Sequence, residues 1–205
     1  MIGIVDYKVG NVGNVSRALH ALGLDTEVIG KPPKSRKDIK AMILPGVGAF
    51  GPAIAELEES GWADFLKSWK ERELPILGIC LGMQLMCEKS LENGVHTGLE
   101  FVKGTVKSLA TRKLPHMGWN DIKWESEIPF IQTAVPDGTS FYFVHSFALF
   151  ESEASAATTK IENRKFVSII VKDNIAGFQF HPERSGTEGL KLLGRTLQWL
   201  AGEKQ

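Results

Sequence analysis

Gly78-Ile79-Cys80-Leu81-Gly82 restricts what this chain can fold into more than any other stretch. The apolar run that begins at Leu74 has strand length, and Leu81-Gly82-Met83-Gln84-Leu85-Met86-Cys87-Glu88 is rich in helix formers. Cys80 stands at the join, with a glycine two residues to either side. This is the G-x-nucleophile-x-G layout of a strand that turns sharply into a helix. The pivot of such a turn has a strained backbone, and side chains at the flanking positions would collide. Its sulfur is then expected over the carboxyl edge of a sheet, at a helix N-terminus whose dipole favours thiolate. The Leu81 N–H points the same way and can meet a developing oxyanion. A buried core cysteine between two packing glycines would give the same letters.

The rest of the chain bears on that choice. Its 205 residues suffice for one sizeable domain, expected over 1–205. Lys plus Arg and Asp plus Glu are 24 each, so no global charge points to nucleic acid or to an anionic membrane. No apolar run reaches membrane-spanning length, and Met1-Ile2-Gly3-Ile4-Val5-Asp6 lacks the basic start of a signal peptide. The cytoplasm is the expected location. On one helix Cys80 and Cys87 would stand roughly 10 Å apart along the axis, too far for a disulfide. Both are expected as reduced thiols, with Cys87 on the apolar side of the helix.

Residues 2–7 read as a strand, followed by a helix capped at Asn11 or Asn14 and closed by Gly23. Thr26 to Ile29 and Ala41 to Leu44 read as two more strands, and Ser35 to Ile39 as a short helix between them. Pro52 is placed to open a helix, and Trp62, Phe65, Leu66 and Trp69 stripe another. The alternation predicts a parallel sheet with helices on both faces. Beyond residue 95 short strands follow at Gly104–Leu109, Trp119–Trp124, Ser140–Phe147, Ala156–Ile161, Phe166–Val171 and Ile175–Phe180. They add antiparallel strands to that sheet or beside it. Ser185-Gly186-Thr187-Glu188 has capping-box spacing before a final helix striped by Leu190, Leu193, Leu197 and Leu200. The expected fold is therefore α/β: a mixed, largely parallel central sheet flanked by helices, with a nucleophile elbow.

Gly46-Val47-Gly48-Ala49-Phe50-Gly51 matches a dinucleotide-binding G-x-G-x-x-G. It follows the third strand rather than the first, and no acid ends the next strand, so that use is rejected. In elbow hydrolases the second oxyanion donor comes from the loop after the third strand, which makes the Val47 amide a candidate. A plain tight turn accounts for the same glycines. His181-Pro182-Glu183 follows a strand, so His181 falls on the ligand-binding edge and Glu183 can turn back to its imidazole. A satisfied loop histidine fits that tripeptide as well. His145 ends an apolar strand and suits a core or interface position better than a base; His116 lies in a binding loop or a turn; His20 and His96 carry no signal. No C-x-x-C or H-x-x-x-H pair supports a metal site, and no cofactor is expected.

Five segments in order resemble the class I (triad) glutamine amidotransferases. They are Pro45-Gly46-Val47-Gly48-Ala49-Phe50, Gly78 to Gln84, Pro115-His116-Met117-Gly118-Trp119-Asn120, Tyr142-Phe143-Val144-His145-Ser146-Phe147, and Gly177-Phe178-Gln179-Phe180-His181-Pro182-Glu183. Within that family the chain is most similar to the glutaminase subunits of imidazole glycerol phosphate synthases. The resemblance implies Cys80 as nucleophile, His181 as base and then acid, and Glu183 as orienter. It implies oxyanion amides at Val47 and Leu81, with a Val47 peptide that flips, and an L-glutamine site at Gly48, Gln84, Ser146 and Phe147. It further implies a heterodimer with a (β/α)8-barrel synthase subunit, which uses the ammonia to make imidazole glycerol phosphate and an aminoimidazole carboxamide ribotide for histidine biosynthesis. Asn11, Asn14, Trp119, Tyr142 and Arg184 would face that partner. Lys8 stands where the family commonly has glycine, and Phe147 where tyrosine is frequent. The same triad would also serve a stand-alone thiol amidase, a non-catalytic regulatory module, or a subunit feeding a different synthase.

Overall fold

The computed structural model describes residues 1–202; the last three residues of the expected 1–205 unit lie outside them. The first half alternates as expected: β1 (Ile2–Val5), α1 (Val12–Ala21), β2 (Thr26–Ile29), β3 (Ala41–Gly46), α2 (Phe50–Glu59), α3 (Trp62–Glu71), β4 (Ile76–Cys80) and α4 (Leu81–Leu85). There follow β5 (Cys87–Ser90), β6 (His96–Thr97), β7 (Val102–Ser108), β8 (His116–Asp121), β9 (Lys123–Trp124) and α5 (Pro129–Gln132). The chain closes with β10 (Ser140–His145), β11 (Phe147–Leu149), β12 (Ser155–Ile161), β13 (Arg164–Lys172), β14 (Ile175–Phe178) and α6 (Gly186–Leu200).

The central sheet runs β2-β1-β3-β4-β14-β13-β12-β9. Its strands are parallel from β2 through β14 and antiparallel from β13 to β9. Alternation along the strands buries both faces. Met42 and Leu44 pack with α2 and α3, while Ile43, Leu77 and Ile79 pack with α1 and α6. The stripe Trp62, Leu66 and Trp69 is buried in the first of these cores. Two smaller sheets stand beside the central one: the antiparallel pair β8–β10, and β11-β7-β5-β6. No helix among the described residues is long and apolar enough to cross a membrane.

Three local expectations fail. Residues 35–39 form no helix: the Arg36 guanidinium is held by Glu27 at 2.8 Å and by Asp38 at 2.9 Å, which ties the segment to β2. The helix after Cys80 is a single short turn ending at Leu85, and Cys87 opens β5 rather than lying on a helix face. Parallel pairing of Cys87 with Val102 overrides helix propensity there. Cys87 is nevertheless buried, and both cysteines are free. The Ser185 side chain does not cap α6; its hydroxyl donates to the His181 carbonyl at 2.6 Å. By contrast Asn11 does cap α1, accepting the Asn14 N–H, and Gly23 ends it at φ 71°.

Candidate active site

β4 hands Cys80 to the turn at φ 55° and ψ −113°, a backbone conformation rare for any residue with a side chain. The flanking glycines allow it. A Cβ on Gly82 would stand 1.8 Å from the Leu44 carbonyl oxygen of β3, and one on Gly78 would stand 2.7 Å from the Met83 backbone. The start of α4 thus lies directly on the sheet, with room for nothing larger. This lifts Cys80 to the carboxyl edge, paired across β3 with Gly46.

A second segment arrives from the far end of the chain. β14 lies parallel to β4, and the residues after it carry His181 to the same edge. The His181 N–H donates to the Tyr142 carbonyl of β10 at 2.9 Å. The Ser185 hydroxyl bridges to β10 as well, accepting the Tyr142 N–H at 2.9 Å. Ser185 therefore fixes the histidine turn against a strand, which is the use its sequence position hid. A single 3-10 turn at Pro182–Arg184 folds Glu183 back, and its Oε1 meets His181 Nδ1 at 2.8 Å with both side chains almost fully buried. The other imidazole nitrogen, Nε2, is buried and has no nitrogen or oxygen partner among the described residues.

Burial pulls the His181 pKa down, but the adjoining Cys80 sulfur and the Glu183 carboxylate outweigh it and raise it to about 10. These two neighbours favour the imidazolium form. Two further groups meet the sulfur. The Val144 carbonyl lies 3.9 Å from Cys80 Sγ, and the Gln179 amide nitrogen approaches it at 3.9 Å. Gln179 is fully buried, and its own oxygen accepts from Gln84 Nε2 at 2.9 Å. Local spacing gave no role to Gln179, because its contact with the sulfur depends on how β14 lies beside β4.

Cys80 and His181 line one cavity of about 260 Å³ with Val47, Gly48, Leu81 and Gln84. Ser146, Phe147, His145 and Glu92 also line its wall. Every residue expected at the oxyanion and glutamine positions therefore borders the same space. Gln84 Nε2 donates to the Phe147 carbonyl at 2.8 Å, and the Ser146 carbonyl accepts the Leu109 N–H at 2.9 Å. Glu92 is the residue that the sequence gave no reason to choose. Its Oε2 accepts the Phe50 N–H at 2.9 Å at the start of α2, which anchors a carboxylate at the cavity. A larger hollow of about 740 Å³ lies at the opposite edge of the sheet, beside Met1, Lys40 and Arg195, and contains no cysteine or histidine.

The residues expected at a partner surface form two groups. Trp119 is 60 % exposed, with its ring 6.3 Å from that of Tyr142, and the Arg184 guanidinium lies 4.5 Å over the Tyr142 ring. Asn11 and Asn14 sit at the start of α1, where Asn11 Oδ1 accepts the Asn14 N–H and Asn14 Oδ1 accepts from the Arg17 guanidinium.

The chain has known relatives. The family model described as "Glutamine amidotransferase class-I" matches residues 3–197. The chain is 42 % identical to the "Imidazole glycerol phosphate synthase subunit HisH" of Desulfitobacterium hafniense (strain Y51), across 98 % of this chain and 95 % of that protein. It is 41 % identical to the subunit of the same name from Aquifex aeolicus (strain VF5), across 93 % of this chain and 92 % of that one. A solved structure described as "Structure of PurLQS from Thermotoga maritima" shares the fold at a TM-score of 0.75 and 21 % identity, covering 97 % of this chain and 98 % of that chain. With the family model spanning nearly the whole sequence, and relatives this similar across almost their full length, the chain belongs to the class-I glutamine amidotransferases.

Proposed function

We propose that this chain is the glutaminase subunit of an imidazole glycerol phosphate synthase. It hydrolyses L-glutamine and passes the ammonia to a (β/α)8-barrel synthase subunit, with which it forms a heterodimer in the cytoplasm. The relatives carrying that subunit name support the assignment. The single observation that carries the chemistry is the convergence of Cys80 and the His181–Glu183 pair on one cavity.

In this reading Cys80 Sγ attacks the side-chain amide carbon of glutamine. The amide carbonyl becomes a tetrahedral oxyanion, held by the N–H groups of Leu81 and Val47. The C–N bond breaks as His181 Nε2 gives its proton to the leaving ammonia. The product is a γ-glutamyl thioester on Cys80. Neutral His181 then takes a proton from water, hydroxide adds to the thioester, and the C–S bond breaks, releasing glutamate and returning the Cys80 thiolate beside the imidazolium. Glu183 holds the imidazole through Nδ1 in both steps. Gly48, Gln84, Ser146 and Phe147 position the substrate, and the Glu92 carboxylate meets its α-ammonium group. A Val47 peptide that turns only when the partner docks would withhold one oxyanion donor, worth about 10²–10³ in rate, until ammonia can be used.

Asn11, Asn14, Trp119, Tyr142 and Arg184 face the synthase. The test is Cys80→Ala in the assembled complex. Glutamine-driven turnover should vanish while added ammonium salts still drive the synthase. Loss of both activities, or survival of the glutamine-driven one, would contradict the assignment.

A further inference from the structure

The antiparallel pair β8 and β10 presents two different faces. Met117 and Trp119 point outward at 62 % and 60 % exposure, while His116 is buried at 7 %. His116 stands directly across the strand pair from His145, which is equally buried and borders the substrate cavity. Their rings are bonded: His116 Nδ1 lies 3.0 Å from His145 Nε2. The ends of this pair fix its direction. The Asn120 amide donates to His116 Nε2 at 3.2 Å, so that nitrogen accepts and Nδ1 carries the proton. His145 Nε2 therefore accepts, and His145 Nδ1 donates to the Phe147 carbonyl at 2.8 Å. Both rings must be neutral for this order. Burial keeps the His116 pKa low, and burial, offset in part by the Phe147 carbonyl, brings that of His145 down to about 3.

The chain ends where the site begins. The Phe147 carbonyl takes a second hydrogen bond from Gln84 Nε2, which also donates to Gln179, and Gln179 approaches Cys80 Sγ. The two imidazoles thus share with Gln84 the task of fixing one wall of the cavity. They do so from a strand whose other face is open to a partner.

We propose that His116 and His145 are positioning residues for glutamine: their one-way hydrogen-bond chain from Asn120 to the Phe147 carbonyl sets the substrate wall and ties it to the exposed strand β8. This rests on the glutaminase reading and adds a path by which β8 acts on substrate binding.

The test is steady-state glutamine hydrolysis by the assembled complex of wild type, His145→Phe, His145→Asn, His116→Phe and the double variant His116→Phe/His145→Phe. Phenylalanine at 145 keeps the ring contacts with Phe143 and Phe166 but removes the bonds. Asparagine loses the ring contacts but can donate from near the Nδ1 position. Positioning predicts a KM for glutamine raised about tenfold in His145→Phe, and less in His145→Asn, which keeps the bond to Phe147 and loses only that to His116, even if that variant melts earlier. His116→Phe should raise KM similarly, and the double variant no further. A purely structural role predicts the reverse order, with Asn worse than Phe. Unchanged KM in both Phe variants, or additive effects, would overturn the proposal. A wild-type complex that hydrolyses no glutamine would instead remove the glutaminase reading on which it rests.

Discussion

Glu183 acts on His181 through a single bond, and the consequence can be read in stability as well as in rate. The folded pKa of His181 is raised to about 10, well above the ordinary 6.5 of histidine. A raised histidine pKa contributes stability that is fully present below the unfolded value and is lost as pH climbs through the folded one. Glu183→Gln removes part of the cause. Its stability deficit relative to wild type should be greatest near pH 6 and should shrink steadily to almost nothing above about pH 10. Denaturant unfolding at a series of pH values measures this; a deficit that grows with pH would contradict the sign. Glu92 gives a second residue-level expectation. Its carboxylate is held at the cavity by the Phe50 N–H. Glu92→Gln should raise the KM for glutamine about ten- to a hundredfold, the worth of one charge-assisted hydrogen bond, and leave ammonia-driven synthesis untouched.

The elbow is an element-level device, and its demands are steric. A methyl group on Gly82 would collide with the Leu44 carbonyl at 1.8 Å, backbone that cannot move without opening β3 from α4. Gly82→Ala should therefore cost about 3 kcal/mol or more, seen as a lower melting temperature or loss of folded protein. Serine at the exposed Lys107 should by comparison change stability by less than about 0.5 kcal/mol. This elbow was legible in five letters because its geometry is local: a sharp turn, two close approaches, one strained pivot. The pairing of His181 with Glu183 was legible for the same reason, since the two are held by one short turn. What failed to show was set at a distance. Cys87 leaves the helix because Val102 pairs with it, and Ser185 declines its cap because β10 offers Tyr142. Gln179 and Glu92 meet the site through strand register and loop packing, neither of which has a sequence spacing. The mixed sheet was foreseen as a class, but the separate β8–β10 strand pair that packs on the histidine turn was not resolved from its neighbours.

At the scale of the molecule, the cavity, the β8–β10 strand pair and the start of α1 gather at the carboxyl edge of the parallel strands, where ligands bind in open α/β sheets. An exposed tryptophan, with a cation seated on the neighbouring tyrosine, is the kind of anchor that dominates an interface. Trp119→Ala should weaken association with the synthase subunit by about 2 kcal/mol, roughly thirtyfold in Kd, with the melting temperature of the isolated chain unchanged. Titration calorimetry and a thermal melt separate the two. The account as a whole depends on one covalent bond. Acid quenching of the assembled complex during turnover of isotopically labelled glutamine, followed by peptide mass mapping, looks for that bond directly. The label should be found as a thioester on the peptide carrying Cys80, with none on Cys87 and none after Cys80→Ala. Label on Cys87, or hydrolysis that continues with no sulfur at position 80, would contradict it.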